Sequence, residues 1–147
     1  MSAYRKIMVA VDGSAAAARG LREAIRLANA ERAELCLLHV VNESVAFAPL
    51  TGAAPLDLTP TLREAGRQVL AAAKARAAKQ SVRAKTVLCE SIDRTAARSI
   101  VNEARRHHAD LIVLGTHGRP GLYRWLLGSV TEPVSYTHLT LPTIYSV

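Results

Sequence analysis

Four short runs of apolar residues recur along the chain, and the first three are each followed by a stretch in which apolar residues return every three or four positions. Short aliphatic and β-branched runs are typical of buried parallel strands, whereas the longer spacing is typical of helices with one buried face. The apolar runs span residues 6–11, 34–41, 84–88 and 110–115. This alternation predicts an α/β fold with a doubly wound, Rossmann-like parallel sheet.

The periodic stretches predict which helical side chains face the sheet. Ser14 is a good N-cap for the first helix, the second starts near Thr61 and runs to about Lys79, and Asp93 can cap a third that reaches about His107. The apolar positions at helical spacing are Ala17, Leu21, Ala24, Ile25 and Ala28 in the first helix, Leu62, Ala65, Val69, Ala72 and Ala73 in the second, and Ala97, Ile100, Val101 and Ala104 in the third. The connection over residues 42–60 is rich in proline, and connections of this length are usually functional.

Length, charge and composition limit the classes of protein to which the chain can belong. With 147 residues the chain is most simply one domain, and its net charge of +7 comes from arginines spread along the helices, so nucleic-acid binding is unlikely. No apolar run is long enough to span a bilayer and no signal peptide is recognisable, so we expect no membrane partner and a cytoplasmic location. Cys36 and Cys89 lie in apolar, strand-like segments, where we expect free thiols.

The fourth apolar run ends in two glycines, and a Gly-Ser pair follows after nine further residues. Because Gly115 and Gly118 lack a Cβ, they would let a phosphate or a ribose approach the backbone. Gly128 and Ser129 would present amide N–H groups and a hydroxyl at a helix N-terminus, where an anion is favoured. We therefore predict a phosphate cradle beyond the fourth strand.

This cradle would work without a dedicated lysine. The chain has no Walker motif and no Gly-x-Gly-x-x-Gly after the first strand. Backbone amides would hold the phosphates, together with Ser129, Thr131 and either Arg119 or Arg124. Ser129 has no identifiable base in the sequence, so a nucleophilic role is improbable.

Asp12 and the histidines each allow two interpretations. Asp12 ends the first strand, where its carboxylate would accept from ribose hydroxyls or help to hold a metal on the phosphates; alternatively, it only forms an Asx turn. His39 is expected to be a core residue bonded to a neighbour, and His107 and His108 to be surface residues at a helix end. His117 has no Cys, His or Glu cluster nearby in the sequence, so we expect loop shaping or phosphate contact there and assign no metal ligand.

Residues 133–147 depart from the alternating pattern. They carry no charged residue, and residues 139–147 would form at most a weak strand that Pro142 confines to a sheet edge. The peptide at residues 135–143 resembles a translated sequencing adaptor found at the ends of unrelated proteins. We hypothesise that this tail replaces the native C-terminus, including a fifth strand.

Residues 9–14, 38–40, 110–119 and 128–132 together resemble the universal stress protein family. The resemblance covers roughly residues 6–132, and the Gly-x2-Gly-x9-Gly-Ser pattern is specific to the branch that binds ATP. It implies an adenine nucleotide alpha hydrolase-like fold with five parallel strands in the order 3-2-1-4-5, the fifth being missing or replaced here. It also implies a cytoplasmic homodimer that binds ATP with Mg²⁺ or Mn²⁺.

The resemblance also assigns residues to the nucleotide. Those that would contact it are Ala10, Asp12, Val40, Gly115, Thr116, His117, Gly118, Arg119, Gly128, Ser129, Val130 and Thr131. Val40 would meet the adenine, residues 115–119 would wrap the ribose and phosphate, and residues 128–131 would take the outer phosphates.

The resulting hypothesis is a nucleotide-binding domain over residues 1–132 with a regulatory or stress-response role. A slow ATPase or a nucleotide-dependent phosphotransferase is the alternative, and an interaction module that has lost its nucleotide is a third. No catalytic residue is assigned, so any enzymatic activity would be at most weak ATP hydrolysis. Because residues 133–147 do not match the family's final strand, dimerisation of this chain stays open.

Overall fold

The structure is a computed structural model that describes residues 3–42, 57–91, 96–115 and 143–146. Its elements are β1 (Lys6–Ala10), α1 (Ala15–Glu31), β2 (Glu34–Asn42), α2 (Thr59–Lys79), β3 (Ala84–Ser91), α3 (Ala96–Arg106), β4 (Leu111–Leu114) and β5 (Thr143–Ser146). The strands and helices predicted over the first 115 residues are all present. The strand that differs most in its bounds is β3, which continues three residues beyond the predicted end at Leu88.

The apolar runs form one parallel sheet in the order β3-β2-β1-β4-β5, which confirms the predicted strand order. β1 lies between β2 and β4, so that Met8 is flanked by Cys36 on one side and Ile112 on the other. Chain order reverses between β1 and β4. In open α/β sheets, ligands bind at the carboxyl ends of the strands beside such a reversal.

Helices cover both faces of the sheet because strand residues alternate between them. On one face Ile7, Val9 and Leu37 pack with residues of α1 and α2. On the other face Met8 and Ile112 pack with residues of α3. These strand side chains are at most 2% exposed, as continuous apolar strands in a doubly covered sheet require.

The predicted buried faces of α1 and α3 are confirmed. Ser14 caps α1, its side chain accepting from the backbone N–H of Ala17 at 3.1 Å. The predicted apolar residues are all buried: Ala17, Leu21, Ala24, Ile25 and Ala28 on α1, and Ala97, Ile100, Val101 and Ala104 on α3. Arg105 and Arg106 occupy the last turn of α3, where the helix dipole favours positive charge. The predicted cap Asp93 lies outside the described residues.

The predicted face of α2 is wrong by about one position along the helix. Its buried residues are Thr59, Gly66, Leu70, Ala73 and Ala77, so Ala73 alone of the predicted set is buried. Leu62 and Val69 are half-buried, and Ala65 and Ala72 are exposed. Alanines on several sides of this helix blur its apolar periodicity, and the position that sets the buried face is a glycine.

Gly66 brings α2 close to the sheet. A Cβ at this position would lie 2.5 Å from Cδ2 of His39 and 2.9 Å from Cδ1 of Leu88. Real Cβ atoms do not approach other atoms so closely, and the helix packs at this distance because residue 66 has no side chain. The spacing of apolar residues does not predict this contact.

β5 occupies the sheet edge beside β4, with Leu111 paired to Thr143 and Val113 to Tyr145. The fifth strand was expected to be missing or replaced, and its presence corrects the first of these alternatives. Its four residues are mostly β-branched or aromatic, and Pro142 precedes them in the sequence. The edge position itself was predicted, and replacement of the native C-terminus stays a hypothesis.

Within these described ranges, no helix has both the length and the apolar content needed to cross a lipid bilayer.

Candidate functional site

Four of the predicted nucleotide-contacting residues fall within the described structure: Ala10, Asp12, Val40 and Gly115. The other predicted contacts are Thr116, His117, Gly118, Arg119, Gly128, Ser129, Val130 and Thr131, and they lie outside the described residues. Their roles stay predictions.

The four described residues come from three neighbouring strands and meet at one edge of the sheet. Ala10 ends β1 and pairs with Leu38, so Val40 lies two residues further along β2. Gly115 directly follows β4, which also pairs with β1. Since all three strands are parallel, the four residues lie at the carboxyl edge, where the chain order reverses.

This edge combines an apolar surface with a carboxylate. Ala10 and Val40 are half-buried and pack on the face that α3 covers. Asp12 is exposed and lies two residues beyond Ala10. Half-buried aliphatic groups suit contact with a flat aromatic ring, and a carboxylate accepts hydrogen bonds from hydroxyl groups or binds a hard cation.

Asp12 also forms the turn that was its alternative interpretation. Its Oδ1 accepts from the backbone N–H of Ser14 at 2.8 Å, and Gly13 has a φ of +83°, which favours glycine. In the part of the chain that the structure describes, Oδ2 has no hydrogen-bond partner. The Asx turn is therefore present and fixes the carboxylate at the edge of the sheet, while contact with a ligand stays a prediction.

His39 secures the end of β1. Its Nδ1 lies 2.8 Å from the carbonyl oxygen of Val11, and because a carbonyl only accepts, Nδ1 must carry the proton. The N–H of Val11 also donates to the carbonyl of Leu38 at 2.8 Å. The bond to a neighbour is therefore confirmed, but His39 is half-buried, which corrects the expectation of a core residue. The bond holds Val11, the residue before Asp12, from the side of β2.

Gly115 lies at the candidate site and also contacts the backbone of α1. A Cβ on Gly115 would lie 1.7 Å from the carbonyl oxygen of Ala16, and a Cβ on Gly20 would lie 2.8 Å from the backbone nitrogen of Gly115. Two glycines thus let α1 cross the end of β4 in backbone contact. The predicted reason for Gly115 was ligand approach alone, and no role was predicted for Gly20, although a glycine inside a helical pattern often marks close packing.

The remaining histidines in the described ranges follow the end of α3, as predicted, but of the two His108 is exposed and His107 is half-buried. Nε2 of His107 lies 3.3 Å from Oε2 of Glu103. His108 is exposed and has a φ of 56°, in the left-handed region that follows many helices. Among the described residues, no three His, Cys, Asp or Glu side chains form a potential metal site.

Both cysteines are free thiols, which confirms the prediction. Burial raises the pKa of Cys36 from its ordinary value of 9.0 to about 11. The pKa of the half-buried Cys89 is raised mainly by burial and also by the nearby Glu103 carboxylate. Both groups therefore remain protonated at neutral pH.

Similarity to known proteins agrees with this geometry. Residues 3–136 match the model of the universal stress protein family. The chain is 34% identical to Universal stress protein YxiE of Bacillus subtilis over 139 residues, which cover 90% of this chain and 92% of that protein.

Solved structures show the same fold. A protein of the universal stress protein family from Burkholderia pseudomallei superimposes with a TM-score of 0.78 at 30% identity, covering 98% of this chain and 96% of that one. The universal stress protein from Archaeoglobus fulgidus in complex with dAMP gives a TM-score of 0.70 at 18% identity, covering 97% of each chain. The length and identity of the sequence matches, together with the shared strand order, show that this chain belongs to the universal stress protein family.

Proposed function

We propose that this protein binds an adenine nucleotide, ATP with Mg²⁺ or Mn²⁺, in the cytoplasm, and that it acts as a regulator in stress responses. The observation that carries the proposal is the meeting of Ala10, Asp12, Val40 and Gly115 at the carboxyl edge beside the reversal of strand order. The dAMP bound to the Archaeoglobus fulgidus relative supports an adenine nucleotide as the ligand.

Each part of the site suits a different part of the nucleotide. In this proposal Ala10 and Val40 provide apolar contact for the adenine ring, and Asp12 accepts from the ribose hydroxyls or binds the metal that accompanies the phosphates. Residues 115–119 would wrap the ribose and phosphate, and residues 128–131 would hold the outer phosphates. The net charge of +7 favours association with a polyanion.

The role of Asp12 is tested by Asp12→Asn. An asparagine side-chain oxygen still accepts from the N–H of Ser14, so the turn is kept and only the charge is lost. We expect the affinity for ATP with Mg²⁺, measured by isothermal titration calorimetry, to fall about tenfold, because a charged acceptor is stronger than a neutral one. The melting temperature should not change.

Glu31→Gln is the matched control. Oε2 of Glu31 accepts from the backbone N–H groups of Ala3 and Tyr4 at the opposite edge of the sheet, and the one side-chain oxygen of glutamine can replace it while the charge is removed. This variant should bind ATP as the unmodified chain does. If Asp12→Asn and Glu31→Gln bound ATP with equal affinity, Asp12 would have a role only in the turn. If the unmodified chain bound none of ATP, AMP and dAMP, the proposed function would be rejected.

A further inference from the structure

A groove separates α1 from α2 on the sheet face opposite to the one on which Ala10 and Val40 pack. Its volume is about 480 Å³, within the range of small-molecule sites. Ala18 and Leu21 line it from α1, and Ala65 and Ala72 line it from α2. The walls are therefore mainly apolar and formed largely by small side chains.

The apolar wall on α2 is a second stripe that the core uses only in part, through Val69. Leu70, Ala73 and Ala77 face the core, whereas Ala65, Val69 and Ala72 also recur at helical spacing. All three of the latter line the groove, where Val69 is half-buried and the two alanines are exposed. Covering the exposed parts of this stripe with an apolar ligand would be favourable, because it removes apolar surface from water.

Positive charge gathers at one end of this groove. Arg76 of α2 lines the groove and also the adjoining hollow, which Arg22 of α1 lines too. Several arginines of the helices pair with glutamate, including Arg26 with Glu23. By contrast, no acidic group in the described ranges forms an ion pair with Arg22 or Arg76. The end of the groove thus carries uncompensated positive charge.

We propose that the groove between α1 and α2 binds an aliphatic carboxylate, with the chain along Ala65, Val69 and Ala72 and the carboxylate at Arg76. Alanine makes up most of the apolar lining, beside Val11, Leu21 and Val69. A lining of mainly small side chains suits an unbranched chain better than the bulky side chains of a partner helix. The arginines complement an acidic head group and disfavour a cationic one. The groove reaches Gly13 and Ser14 beside Asp12, but it lies on the other face of the sheet from Ala10 and Val40, and its test does not require nucleotide binding.

The direct test is calorimetric titration of the full chain with decanoate, below the concentration at which it forms micelles. We expect one decanoate per chain. Decyltrimethylammonium, which has the same chain and the opposite charge, should bind at least tenfold more weakly. Equal binding of the two amphiphiles, or uptake of many decanoates per chain, would overturn the proposal.

Paired variants on α2 locate the ligand. Ala72→Leu fills the groove from an exposed position and should weaken decanoate binding at least tenfold, whereas Ala78→Leu, exposed on the same helix and outside the groove, should not. Arg76→Gln should weaken decanoate binding about threefold, as expected for an exposed ion pair. Lys79→Gln removes a charge in the same last turn and should weaken decanoate binding less. Circular dichroism checks that each variant is folded. Unchanged binding in folded Ala72→Leu would contradict the proposed site.

Discussion

At the scale of single residues, Gly115 has both a predicted role in ligand binding and a role in packing. The sequence explains it as a place where a phosphate approaches the backbone. The structure adds a packing reason for the glycine, because Ala16 and Gly20 of α1 contact its backbone and leave no room for a side chain. Nothing in the local sequence around residue 115 reveals a contact with a helix about a hundred positions earlier, and this part of the site could not be predicted.

Gly115→Ala should therefore destabilise the fold itself. Its new Cβ would overlap the carbonyl oxygen of Ala16, a backbone atom that cannot rotate away. We expect the free energy of unfolding, measured in urea, to fall by about 2 kcal/mol or more. Gly118→Val is the comparison, since we expect it to abolish nucleotide binding while leaving the fold intact. A Gly115→Ala protein as stable as the parent would contradict the packing role.

Cys36 provides a pH-dependent test of the core. Burial raises its pKa from 9.0 to about 11, so in alkaline solution the unfolded thiol ionises before the folded one does. The unfolded chain then binds fewer protons, and stability falls as pH rises through this interval, by about 1 kcal/mol per pH unit from this group.

The control for this thiol is Cys36→Val, which keeps an apolar side chain of similar size. Lysines and tyrosines also titrate in this range, but they do so in both proteins. Between pH 9 and pH 11 the free energy of unfolding of Cys36→Val should therefore fall less steeply than that of the parent. Parallel curves would mean that the thiol ionises as readily in the folded protein as in the unfolded one.

At the scale of elements, the predictions succeeded where apolar periodicity was clear and failed where alanine obscured it. α1 and α3 carry large aliphatic residues on one side, such as Leu21 and Ile100, and their buried faces were predicted correctly. α2 has alanine on several sides. There the close approach of Gly66 to His39 decides which side is buried, and this contact depends on tertiary structure.

Gly66→Ala tests this explanation, because helix propensity and the contact with the sheet change the free energy of unfolding in opposite directions. In an exposed helix, replacing glycine by alanine stabilises by about 1 kcal/mol. Here the added Cβ would meet His39 and Leu88, so we expect unfolding in urea to show a net loss of about 1–2 kcal/mol. A more stable Gly66→Ala protein would show that the helix can move away from the sheet without cost.

At the scale of the whole molecule, the alternation of strands and helices was sufficient to predict a parallel sheet covered on both faces, whereas the strand order was predicted from the resemblance to the universal stress protein family. Parallel strands with right-handed crossovers admit few arrangements, and the glycines beyond β4 indicated which edge is functional. The sequence predicted at most a weak strand in residues 139–147, because a four-residue strand has too short a pattern and its pairing depends on the available edge of β4. Three of its four residues, Thr143, Ile144 and Tyr145, favour β-structure. Sequencing the 3′ end of the gene from genomic DNA tests whether this tail is native; recovering it unchanged would refute the replacement hypothesis.

The central claim, that an adenine nucleotide binds at the carboxyl edge beside β1 and β4, is tested most directly by amide chemical shifts during titration with ATP and Mg²⁺. The account predicts saturable shifts at Asp12, Val40 and Gly115, and none at Ala33 and Val82, which precede β2 and β3 at the opposite edge. An unchanged spectrum at millimolar ATP, or shifts confined to the opposite edge, would contradict it.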